Sequence, residues 1–130
     1  MKVLHVVGGS LSNGAFKGAE ILHEALLKYN IESKILSDNQ IDEKIRSNEN
    51  IISINNNFKN RTLNKLFILI EKLLKYFYLH SPRDAFTIGL LGFDITNLKA
   101  YKEADIIHIH WLNQGFINLK SISKINKPLI

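Results

Sequence analysis

Two histidines and a tryptophan close an apolar run late in the chain: Ala104-Asp105-Ile106-Ile107-His108-Ile109-His110-Trp111-Leu112-Asn113. The imidazoles alternate with isoleucine, and a period of two puts both on one face of a strand. Imidazole can bind a hydroxyl, carry a proton or hold a metal. An indole offers a flat, rigid apolar face with one N–H donor. In an open parallel sheet the carboxyl ends of the strands open onto the ligand crevice. A strand ending in His108, His110, Trp111 and Asn113 puts polar and aromatic chemistry at that place. The same pattern also serves a hydrogen-bonded core histidine with Trp111 as a packing residue. A zinc or hydrolase site would need a further histidine or carboxylate from another strand end. His5, in the middle of the first strand, and Asp105, at the wrong end of its own, are poor candidates. No metal is therefore expected.

A second candidate lies at the other end of the chain. Val6-Val7-Gly8-Gly9-Ser10-Leu11-Ser12-Asn13-Gly14 joins a strand to a helix. Glycines let backbone approach a ligand, and a helix N-terminus favours phosphate or carboxylate. Gly8, Gly9, Ser12, Asn13 and Gly14 form a loop able to cradle an anion, with Lys17 as a mobile counter-charge. The G-x-G-x-x-G order of a dinucleotide site is missing, and no G-K-[ST] of a P-loop follows. Asp38 could imitate a ribose-binding acid, but it lies in a loop beyond Ser37.

The elements that must position these groups follow from the hydrophobic pattern. Lys2–Val7 is a near-continuous apolar run, as in a strand buried on both faces. Gly8–Gly18 is a loop and Ala19–Tyr29 a helix, which Asn30 ends. Ile31–Leu36 and Ile51–Ile54 are strands, separated by a polar loop or short helix over 38–50. Asp94–Glu103 is a short helix, Ile106–His110 a strand, Gly115–Ile125 a helix, and Leu129-Ile130 opens a last strand. Strands alternating with helices imply βαβ units in a parallel sheet. The expected fold is α/β, a Rossmann-like open parallel sheet with flanking helices, forming one domain over 1–130. A domain rarely stops two residues into a core strand, so the chain is expected to be a truncated lobe.

Charge is concentrated in one element. The formal net charge is +5. Lys59, Arg61, Lys65, Lys72, Lys75 and Arg83 stand against Glu71 alone, so this one segment carries the whole excess. Leu63, Leu66, Phe67, Ile70, Leu73, Leu74 and Phe77 recur at helical spacing. Thr62 is the expected N-cap and Ser81-Pro82 the stop, giving a basic helix over 62–80. Its apolar arc is wider than one buried stripe requires. Such a helix suits an anionic membrane surface, with Lys65, Lys72 and Lys75 facing it. It equally suits packing between the sheet and a further part of the protein. No nucleic-acid motif accompanies the basic residues, and no nucleic acid is expected.

Composition excludes other classes. There is no cysteine, hence no disulfide framework and no thiolate metal site, which fits a reducing compartment. The N-terminal apolar run is too short for a signal peptide. No uncharged stretch reaches the roughly 18 residues of a membrane span.

The motifs resemble a known family. Asn13-Gly14-Ala15-Phe16-Lys17-Gly18-Ala19-Glu20-Ile21-Leu22-His23-Glu24-Ala25-Leu26 resembles the Gly-Gly-Ala-x-Arg-x-Ala-x-x-Leu-His-x-Ala-Leu pattern of bacterial retaining glycosyltransferases of family four, the exopolysaccharide and O-antigen type. Gly92-Phe93-Asp94-Ile95-Thr96 and the run from Ala104 to Phe116 resemble later segments of the same group. The chain departs at Asn13, where the pattern has glycine, and at Lys17, where it has arginine. Lysine keeps the charge and loses the bidentate fork.

The resemblance implies the N-terminal, acceptor-side lobe of a GT-B glycosyltransferase, with His108, His110 and Asn113 as acceptor-binding residues and Trp111 as a sugar-stacking surface. The full enzyme would transfer a sugar from a nucleotide-sugar to a saccharide or lipid-linked saccharide with retention. The donor is held mainly by a C-terminal lobe absent from this chain, so the chain alone should be inactive, with no catalytic residue identified in it. No Asp-x-Asp motif is present, and neither metal nor cofactor is implied. The expected location is cytoplasmic, peripheral on the inner membrane face. A non-catalytic binding or assembly module, or a membrane-surface adaptor using the basic helix, is the alternative.

Overall fold

The computed structural model describes residues 1–38, 49–79, 87–112 and 115–130. Four parallel strands form one sheet in the order β3-β2-β1-β4. They are β1 (Lys2–Val7), β2 (Glu32–Ser37), β3 (Ile51–Ser53) and β4 (Ile106–Trp111). The chain moves outward from β1 to β3, then returns to lay β4 on the other side of β1. This reversal is the topological switch point at which open α/β sheets bind ligands. The last residues add to the outer edge of β4. Ile107 N–H donates to the Pro128 carbonyl and Ile130 N–H to the Ile107 carbonyl, so Leu129 makes a single parallel bridge to Ile107 where a last strand is expected.

Alternation along the strands divides the core in two. Leu4, Val6, Leu36 and Ile107 face one side and pack with Ile95, Tyr101 and Phe116. Val7 and Ile35 face the other and pack under Phe16 and Ala19 of helix α1 (Gly14–Lys28). Each such aliphatic side chain contributes about 2 kcal/mol by leaving water.

Helix α1 begins earlier than its apolar pattern indicates. The Asn13 side chain accepts a hydrogen bond from Phe16 N–H at 2.7 Å, so the cap sits there and the loop is only Gly8–Asn13. Asn30 does end the helix, in the left-handed region at φ 57°. The expected helix over Asp94–Glu103 divides into a 3₁₀ turn, Ile95–Asn97, and helix α3, Lys99–Glu103, with Leu98 extended between them. The expected helix over Gly115–Ile125 shrinks to α4, Leu119–Ile122. The cause is a bridge between Phe93 and Ile117, which draws the preceding residues into extended pairing. That contact needs Gly92, where an added Cβ would lie 2.6 Å from the Ile117 and Asn118 backbone. Asp94 anchors the same region. Its carboxylate accepts hydrogen bonds from the Lys124 ammonium, Thr96 N–H and the Thr96 and Ser121 hydroxyls, and the bonds from Lys124 and Thr96 hold its pKa below the usual range.

The basic helix is α2, Phe58–Leu79. Thr62 is not its cap; the Thr62 hydroxyl donates to the Phe58 carbonyl from inside the helix. The predicted stop at Ser81-Pro82 lies outside the described residues, as does most of 38–50. The orientation of α2 departs furthest from its periodicity. Asn64, Glu71 and Lys75 are buried, whereas Leu66, Leu69, Leu73, Tyr76 and Phe77 are exposed. Glu71 explains the inversion. One carboxylate oxygen accepts from the Thr87 hydroxyl at 2.6 Å and from Ile88 N–H at 2.5 Å. The other accepts from Gly115 N–H at 3.2 Å. Buried backbone donors demand partners, and this acid supplies them. Among the described residues no helix is long and apolar enough to cross a membrane.

Candidate functional site

The glycine turn after β1 and the aromatic tip of β4 lie together on the carboxyl rim of the sheet. Gly8 N–H donates to the Trp111 carbonyl at 2.8 Å. Gly9 adopts φ +87°, and a Cβ there would meet the Asn13 amide at 2.6 Å. Any other residue at Gly9 would strain the turn. Trp111 is 44% exposed at this rim. Asn113 lies outside the described residues.

Four N–H groups of the loop Gly8–Asn13, those of Gly8, Gly9, Ser12 and Asn13, have internal partners. Gly9 N–H donates to the Asp38 carboxylate at 3.0 Å, Asn13 N–H to the Ser10 carbonyl, and Ser12 N–H to the Ser10 hydroxyl. The Asn13 side chain is committed to Phe16 and, through its amide, to the Gly8 carbonyl at 3.4 Å. A carboxylate at the turn repels phosphate. Asp38 is thereby assigned a position that its place beyond Ser37 concealed. Gly14 opens α1 with nothing near its Cβ position, and Lys17 is exposed in the first turn.

His108 and His110 do share a face of β4, their rings stacked at 4.0 Å. The parallel register pairs His5 with His108 and so brings a third imidazole into the group. His5, a poor candidate by its mid-strand position, thus joins the two imidazoles of β4. Between Val6 and Val7 the register slips, so that Ile109 pairs with Val6 and Trp111 with Val7. His110 is the residue this bulge sets free of the ladder, and bulges of this kind re-aim side chains. Its Nε2 lies 2.9 Å from His5 Nδ1. A fourth ring, His23 from α1, meets His5 edge-on at 6.5 Å and hydrogen-bonds the Ser33 hydroxyl at 2.8 Å.

The electrostatics follow from burial and mutual repulsion. Burial pushes the His5 pKa down to about 4, and the neighbouring His110 and His108 push the same way. Burial lowers His110 and His23 as well, with His108 adding to the effect on His110. At neutral pH His5, His23 and His110 are uncharged and keep lone pairs. His5 Nε2 and His23 Nε2 are buried without hydrogen-bond partners. The rim thus combines a carboxylate, neutral imidazoles and a half-exposed indole.

The three lysines assigned to a membrane surface separate. Lys65 and Lys72 are exposed on α2, but Lys75 is buried, because the face carrying Asn64 and Glu71 turns inward. A cleft does open at the opposite end of the sheet, beside Lys2, Glu32, Lys34 and Glu103. Its charges are already paired, Lys2 with Glu32 and Lys34 with Glu103 at 3.1 Å each, and it lies away from the imidazoles. No family model, no curated protein and no solved structure matches this chain.

Proposed function

We propose that this chain is the acceptor-side lobe of a retaining glycosyltransferase and that its rim receives a neutral saccharide. The carrying observation is the composition of that rim. Trp111 gives a stacking face, and His110 and the Asp38 carboxylate beside Gly9 suit sugar hydroxyls. The same carboxylate and the internally bonded loop disfavour a nucleotide phosphate. That division matches the resemblance, which assigns the nucleotide-sugar to a second α/β lobe.

Trp111 is the sole tryptophan, so its fluorescence reports this site alone. Titration with lactose or cellobiose will shift Trp111 emission, with millimolar affinity, while UDP will not. His110→Ala will weaken saccharide binding about tenfold, the equivalent of one hydrogen bond of about 1.4 kcal/mol. A response to UDP, or none to either saccharide, would overturn the reading.

The same lobe is placed at an anionic membrane through α2. The exposed stripe Leu66, Leu69, Leu73, Tyr76 and Phe77 is apolar, and Lys65 and Lys72 run along one border of it. Lysines so placed keep their stems on apolar surface and their ammonium groups at the lipid headgroups. This position brings the rim to a lipid-linked acceptor on the cytoplasmic face. Flotation with phosphatidylserine vesicles will carry the protein, and the Lys65→Glu, Lys72→Glu double variant will stay in the dense fraction. Equal flotation of both forms would remove the membrane from this reading.

A further inference from the structure

We propose that His5, His108 and His110 form a three-imidazole site for one divalent first-row transition ion, zinc above all. Each residue offers a ligand nitrogen, and the three nitrogens lie within 4.8 Å of one another. The group is assembled from two strands. Parallel register sets His5 beside His108, and the bulge turns His110 toward His5. Three imidazoles with no thiolate and no carboxylate select borderline ions such as zinc, and they discriminate against magnesium and calcium, which take oxygen ligands.

The geometry is close to ligation. Zinc binds imidazole nitrogen at roughly 2.0–2.1 Å, so tetrahedral ligands stand roughly 3.3 Å apart. His5 Nδ1 and His110 Nε2 are 2.9 Å apart and need only open by a few tenths of an ångström. The proton shared between them moves to the other nitrogen of its own ring, and each imidazole remains neutral. His108 supplies the third ligand by a side-chain rotation that its half-buried position permits. His5 is fully buried and fixes the site; its Nε2 has no hydrogen-bond partner. Three protein ligands leave a fourth position for water or a ligand hydroxyl, the arrangement of zinc sites that work on substrates. The inference does not depend on the glycosyltransferase reading, because metal and saccharide are assayed separately.

Calorimetric titration of the apo chain with zinc will give one ion per chain at micromolar affinity or tighter. Cobalt will produce the intense visible bands of a tetrahedral centre, and magnesium will do nothing. Zinc will raise the melting temperature by several degrees. His5→Ala risks the fold, so the test variants are His108→Ala and His110→Ala. Each should keep the native circular dichroism, lose zinc affinity at least a hundredfold and abolish the cobalt bands. Absence of cobalt bands from the parent, or their persistence in either test variant, would overturn the site.

Discussion

As the pH falls from about 6.5 towards about 4, the chain will lose on the order of 3 kcal/mol of stability through His5 alone. In the unfolded chain His5 takes up a proton near its ordinary value of 6.5; in the fold it resists until about 4. Between those values the unfolded state holds more protons, so acid favours unfolding. Above 6.5 His5 is neutral in both states and its penalty vanishes. His23 and His110, whose values are also lowered by burial, steepen the same limb. Urea midpoints across this range, taken with a chelator present, will show the decline. His5→Leu will flatten it, since leucine has no proton to gain. An acid limb of equal steepness in the variant would place the cause elsewhere, for instance at His23 or His110, whose values burial also lowers.

Glu71→Ala will cost about 3 kcal/mol, because two backbone N–H groups and one hydroxyl lose a buried acceptor together. Glu71→Gln will cost about half as much. Its amide oxygen can keep Thr87 and Ile88, while its NH₂ then faces the Gly115 N–H. The effect will appear as a lower urea midpoint at unchanged slope. It will be accompanied by loosening of α2, read as faster amide exchange along Asn64–Lys75. A cost under about 1 kcal/mol for Glu71→Ala would mean that water replaces the carboxylate and that α2 is held by other contacts.

The Glu71 case marks where local pattern stops being informative. Helical spacing of Leu63, Leu66, Phe67, Ile70, Leu73 and Phe77 located α2 to within a few residues. It could not say which face turns inward. That choice rests on donors at Thr87, Ile88 and Gly115, up to 44 residues away along the chain. Once the acid is buried against them, Leu66, Leu69 and Leu73 must point out. The membrane assignment survives as a proposal on Lys65 and Lys72, and Lys75 leaves it.

What the sequence determined by itself is what short-range physics controls. Apolar runs in Lys2–Val7 and Ile106–Trp111 specify buried strands, Asn30 ends a helix, and alternation puts His108 and His110 on one side. Strands interleaved with helices are enough to fix a parallel α/β sheet and to put the glycine turn and Trp111 at its carboxyl ends. The tertiary structure alone decided which side chains meet. Register joins His5 to His108 across more than 100 residues, and a one-residue bulge turns His110 toward them. Asp38, just past the end of β2, reaches Gly9 and puts a carboxylate at the glycine turn. Register, bulges and long-range hydrogen bonds depend on the summed packing of the whole sheet, so no local window of residues contains them.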